Sequence, residues 1–120
     1  MPWTVLFDEA FAEEFAGLDA DVRIEIAVGI ALLQRFGPQL GRPHVDTLKG
    51  SRHSNMKELR LKAADGVWRV AFAFDPQRAA ILLVAGDKSG GSEKRFYRQL
   101  IETADRRFDE HLDALNRGGV

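Results

Sequence analysis

"KELRLKAADGVWRVAFAFD", residues 57–75, decides the fold. In its second half Trp68, Val70, Phe72 and Phe74 alternate with Arg69, Ala71 and Ala73, the period of two of a strand with one buried face. The first half alternates likewise, Leu59 and Leu61 against Glu58, Arg60 and Lys62. Asp65-Gly66 between them is a hairpin turn signal. Two registers follow. A loop of Asp65-Gly66 sets Lys62 opposite Arg69, whereas a loop from Ala63 to Gly66 sets Arg60 opposite Arg69. Both keep the apolar set on one face, since only an odd slip turns it outward. In either, Glu58, Arg60, Lys62 and Arg69 share the other face. Like charges directly opposite one another cost a few tenths to about 1 kcal/mol, so the clustering needs a reason. With Ala71 and Ala73 as neighbours the face reads as shallow and open, a floor for a phosphate backbone. The competing reading is a solvated face on which Glu58 neutralises a base.

Outward from the hairpin, "WTVLF" (3–7) is a short strand. Asp8 reads as the N-cap of a helix carrying Phe11, Phe15 and Leu18, with Gly17 near its end. Asp19 or Asp21 caps a second helix, with Val22, Ile26, Ala27, Ile30, Leu33 and Phe36 as its apolar face and Gly37-Pro38 as its stop. Residues 37–55 have no clean period and read as a long loop tacked down by Leu40, Val45 and Leu48. "AAILLVAGDK" (79–88) is a nearly continuous apolar run, a central strand. Ser92 caps a last helix with Phe96, Leu100, Ala104, Phe108 and Leu112 at spacings of four. The order β-α-α-β-β-β-α predicts an α+β fold: a twisted, mostly antiparallel four-stranded sheet with a helical hairpin and a C-terminal helix packed on it. A chain of 120 residues fits one domain, 1–120.

The chain has no cysteine, hence no disulfide or thiolate chemistry. No apolar run approaches the roughly 20 residues of a spanning helix, and no signal peptide is visible, so a cytoplasmic protein without membrane partners is expected. Charge is segregated. Residues 1–41 hold two basic and seven acidic side chains, residues 42–98 twelve and six, and residues 99–120 three and five. A basic middle in a near-neutral chain suits a local anionic partner such as RNA. Arg52 and His53, in the basic loop "GSRHSN", are candidate RNA contacts, although a loop histidine is commonly structural. His111 falls on the polar side of the last helix and reads as inert. Asp46, Asp87 and Glu93 lack metal-ligand spacing, so neither a metal nor a cofactor is expected. "AGDKSGG" lacks the phosphate-loop pattern.

"LKGS" (48–51), "KELR" (57–60), "WRVAFAFD" (68–75) and "LLVAGDKSG" (82–90), followed by a helix, together resemble the RelE/HigB-type toxins of type II toxin–antitoxin modules, and among them the phage-derived HigB-like subgroup. The resemblance covers nearly the whole chain. It implies a RelE/ParE-like fold and a metal-independent mRNA endonuclease working on the ribosome. It also implies a cognate antitoxin, a small helix-turn-helix protein. Relatives of the ParE type instead inhibit DNA gyrase, and a decayed member would only bind its antitoxin. Carried over residue by residue, the resemblance implies that Arg69 contacts the scissile phosphate. Arg60 and Lys62, or Lys57 in their place, supply cations from the preceding strand. Lys88 follows the last strand, and Tyr97 corresponds to the tyrosine of RelE members. Some HigB members use a histidine near this region, and none occurs here. The chemistry asks for a group to take the 2′ proton, a donor for the leaving oxygen and cations for the extra negative charge.

Overall fold

The computed structural model describes residues 2–118. The chain runs β1 (Thr4–Phe7), α1 (Glu9–Ala16), α2 (Ala20–Phe36), a 3₁₀ turn at Gly37–Gln39, β2 (Val45–Thr47), β3 (Lys57–Ala63), β4 (Gly66–Phe74), β5 (Ala79–Asp87) and α3 (Glu93–Gly118). The strands form one sheet in the order β1-β5-β4-β3-β2. β1 runs parallel to β5, and every other pair is antiparallel. The α+β class and its helical elements are as the sequence indicates, but the sheet has five strands, not four, and the order is β-α-α-β-β-β-β-α. The added strand is β2, inside the stretch read as loop. Val45, Asp46 and Thr47 pair with Leu59, Glu58 and Lys57. Three residues are too few for a period of two to register, and the Gly and Pro before them read as loop.

The hairpin takes the register in which Arg60 faces Arg69. Ala63 also pairs with Gly66, so the turn is only Ala64-Asp65. Both turn residues have positive φ, 50° and 63°. That hand matches the twist of the flanking strands, at a conformational cost because neither residue is glycine.

One sheet face, with Leu59, Val70, Phe72 and Leu82, packs on Phe11, Val22, Ile26 and Leu33 of α1 and α2. Each such side chain contributes about 1.5–3 kcal/mol of burial. Gly29 sets the approach of α2: a Cβ there would stand 2.5 Å from Leu59 Cδ2. Because Gly29, with Val22, Ile26 and Leu33, is what turns to the sheet, Ala27 and Phe36 of the expected stripe face solvent. Asp8 caps α1 by accepting from the Phe11 amide at 3.0 Å.

The other face is where the expectation of an open floor fails. α3 lies on it, and Ala71 and Ala73 are completely buried with Ile81, Leu83, Leu100, Ala104 and Phe108. Small residues here seat a helix. Gly86, opposite Arg69 on β5, makes the same point, since a Cβ there would stand 2.9 Å from the Phe96 ring. The Ser92 hydroxyl caps the start of α3 by accepting from Arg95 N at 3.2 Å. Arg107 ties α3 to both other layers, donating to the Leu83 carbonyl and to the Glu14 carboxylate. No helix among the described residues is long and apolar enough to cross a membrane.

Candidate active site

Arg69 sits mid-strand in β4, under the first turns of α3, with 6% of its surface exposed. Its Nη1 donates to the Trp68 carbonyl at 2.9 Å and its Nε to the Tyr97 hydroxyl at 3.3 Å. Glu58, equally buried, accepts from the Tyr97 hydroxyl at 2.8 Å. Its two oxygens stand 3.7 Å from Arg69 Nε and 3.7 Å from Arg60 Nε. One carboxylate therefore bridges the two arginines that the register sets face to face. A guanidinium so deeply buried needs such a partner, and this answers why like charges cluster on the strand pair. Of the competing reading, the neutralisation by Glu58 is made, but the face is not solvated, because α3 covers it.

Lys88 follows β5, with Nζ 5.7 Å from the centre of the Tyr97 ring and 3.0 Å from Glu93 Oε1. Burial, and then the bond to Glu58, push the Tyr97 hydroxyl above its usual range, so at neutral pH it is a phenol and a donor. The bond from Lys88 holds the Glu93 carboxyl below its usual range. Among the described residues every buried polar side-chain atom has a partner. The site thus joins a carboxylate, a phenol and three cations suited to phosphate oxygens.

Four residues picked from sequence, Arg60, Arg69, Lys88 and Tyr97, converge here. Lys62 shares the face, exposed, opposite Val67. Lys57 does not. It pairs with Phe72, which places it with Leu59 and Leu61 on the helical-hairpin side, because strand alternation leaves it no other. Arg52 and His53 also lie apart. The Arg52 amide donates to Asp105 at 3.0 Å, and its guanidinium pairs with Asp109. His53 Nε2 is 2.7 Å from Asp109 Oδ1. At 1.5 Å per residue these aspartates lie about 12 and 18 Å along α3 from Tyr97. Their partners pin the loop before β3 onto α3, and the bond to His53 is the main cause holding the Asp109 carboxyl low. His111 is likewise engaged, 2.8 Å from the buried carboxylate of Asp75. Glu58 is the site residue that sequence reasoning treated only as a neutraliser. Its alternation onto the Arg69 face was the available signal. Among the described residues no group of three His, Asp or Glu side chains is placed to hold a metal ion.

Residues 13–109 match the family described as phage derived protein Gp49-like. Two proteins of Mycobacterium tuberculosis, named as toxins HigB2 and HigB3 on provisional grounds, are similar in sequence. HigB2 is 46% identical over 97 residues, 80% of this chain and 48% of the relative. HigB3 is 45% identical over 105 residues, 88% of this chain and 90% of the relative. The chain thus spans about half the length of the first and nine-tenths of the second. The free-state structure of an arginine double mutant of E. coli toxin RelE superposes with a TM-score of 0.60 at 14% identity, covering 84% of this chain and 95% of that one. At that identity the likeness establishes a shared fold.

Proposed function

We propose, from the premise that this chain belongs to the Gp49-like family and is a HigB-type toxin of a toxin–antitoxin module, that it is a metal-independent endoribonuclease. It cleaves mRNA in the cytoplasm, on the ribosome, and a cognate antitoxin of helix-turn-helix type silences it. The observation that carries this reading is the buried Glu58–Tyr97–Arg69 cluster, with Arg60 on the second carboxylate oxygen. The 2′-hydroxyl attacks the adjacent phosphorus, and Glu58 takes its proton. The bond from phosphorus to the 5′-oxygen breaks, leaving a 2′,3′-cyclic phosphate and a 5′-hydroxyl. Lys88 supplies a proton to the departing oxygen, and Arg60 and Arg69 hold the negative charge that builds on the phosphoryl group. Tyr97 positions Glu58 and keeps water from the pair. The contacts of Glu58 to the arginines, at 3.7 Å, exceed hydrogen-bond length, so an incoming phosphate competes for both guanidinium groups on favourable terms.

The test is cleavage of a short RNA, programmed on ribosomes, by parent and Glu58→Gln. The amide still accepts from Tyr97 but takes no proton, and the rate is expected to fall about a hundredfold, the low end for a lost general base. Full activity of Glu58→Gln overturns the role given to that residue.

A further inference from the structure

We infer that Lys49, Lys94 and Arg98 form a phosphate track that holds the RNA strand on either side of the scissile step; this rests on the endoribonuclease reading above. All three are exposed. None belongs to an ion pair within 4.0 Å among the described residues, whereas Arg42, Arg52, Lys88 and Arg107 are each engaged by a carboxylate. The nearby acids are already committed: Glu58 to Tyr97 and the arginines, Glu93 to Lys88, Asp105 and Asp109 to the loop. Glu102, one turn beyond Arg98 and exposed, makes no ion pair with it, so three bases stand against one uncommitted acid and the patch stays net cationic among the described residues.

The helix fixes where these charges point. At 3.6 residues per turn, Lys94, Arg98, Ile101 and Asp105 fall within a stripe about 60° wide. The last two show what the stripe faces. Asp105 accepts from the Ser51 hydroxyl and the Arg52 amide, and a Cβ on Gly50 would stand 3.5 Å from Ile101 Cδ1. The stripe thus borders the loop that carries Lys49 next to Gly50. Its first turn flanks Tyr97, the residue bonded to both Glu58 and Arg69. By helix spacing Lys94 and Arg98 flank Tyr97, Lys49 adjoins the Gly50 that meets Ile101, and Lys62 shares the strand face of Glu58 and Arg60.

A track of this kind serves a site that is closed. Arg69 is almost entirely buried under α3, so the scissile phosphate reaches it only by displacement of a contact it already makes, the long one to Glu58 first. Binding energy gathered from flanking phosphates is the means available for that displacement and for aligning the 2′-hydroxyl. The ligand is single-stranded RNA held by its backbone, without base readout.

The experiment measures the salt dependence of binding for a fluorescent, fully 2′-O-methylated single-stranded RNA of about twelve nucleotides, which cannot be cleaved. Each phosphate contact on a single strand contributes about 0.7 to the slope of log K against log salt. Lys94→Gln with Arg98→Gln should lower the slope by about 1.4, and Lys49→Gln by about 0.7 more. Arg106→Gln, two turns further along α3 and exposed, should leave it unchanged. A triple variant with the parent's slope, beside a Glu58→Gln variant that no longer cleaves, overturns the track and spares the nuclease. A lowered slope beside a Glu58→Gln variant that still cleaves does the reverse. An unchanged RNA slope with weakened binding of the antitoxin would overturn the track in favour of a protein-docking surface. A parent that binds the RNA without salt dependence also overturns it.

Discussion

Arg69→Ala is expected to lose about 3 kcal/mol of stability together with its toxicity, and the two losses have different causes. Strand alternation alone predicts an intact fold, because it turns Arg69 away from the Trp68, Val70 and Phe72 face. It does so, but onto a face that α3 covers. Removing it leaves the Glu58 carboxylate buried with only Tyr97 and the longer contact to Arg60, and breaking one side of a buried ion pair costs roughly 3–5 kcal/mol. The remaining partners set the estimate at the low end. A second variant separates structure from chemistry. Glu58→Leu, Arg69→Met and Tyr97→Phe together replace the polar cluster with apolar groups of similar volume, which is often neutral or stabilising. This triple variant should unfold within about 1 kcal/mol of the parent in urea and be non-toxic. An Arg69→Ala protein as stable as the parent would mean that the pair with Glu58 is energetically idle.

Phe108→Ala should destabilise the fold further still, by about 4 kcal/mol, within the usual cost of removing a buried phenyl group. Phe108 is 2% exposed. It packs against the buried alanines and leucines of the sheet. The His53 ring stands edge-on to it at 4.9 Å and the His111 ring stacks on it at 6.2 Å. Both imidazoles are in turn bonded to aspartates, so the cavity cannot close without disturbing the loop of residues 48–56. For a domain of this size the melting temperature should fall by roughly 15 °C. Phe36→Ala, where the ring is 43% exposed, should cost well under 1 kcal/mol. Equal losses from the two truncations would contradict the placement of the core.

Much of this was legible in the residues because period and chemistry agree locally. The alternation in 57–74 fixed the faces of β3 and β4, Asp8 and Ser92 marked two helix starts by their side-chain oxygens, and the stripe from Phe96 to Phe108 fixed the buried side of α3. What the sequence withheld was which layer meets which. Ala71 and Ala73 are equally consistent with an open floor and with a helix seat, and only Gly86 beside Phe96 hints at the second. β2 escaped notice because three residues carry no period. Lys57 enters only as the resemblance's alternative to Arg60 and Lys62, and its parity with Leu59 sets it on the opposite face from them. Among the site residues, the positive charges were found as charges. Glu58 was missed because a carboxylate among bases reads as compensation until its bond to Tyr97 is seen. His53 and His111 looked like surface residues because their aspartate partners come from distant parts of the chain.

The most direct measurement is the chemistry of RNA ends made in bacteria that express the parent or the Glu58→Leu, Arg69→Met, Tyr97→Phe variant without antitoxin. The parent should generate new ends inside reading frames, with a 5′-hydroxyl on the downstream fragment and a 2′,3′-cyclic phosphate on the upstream one, and the folded variant should generate none. Intact mRNA with induction of the DNA-damage response, or fragments that begin with a 5′-phosphate, would contradict a nuclease built on Glu58 and Arg69.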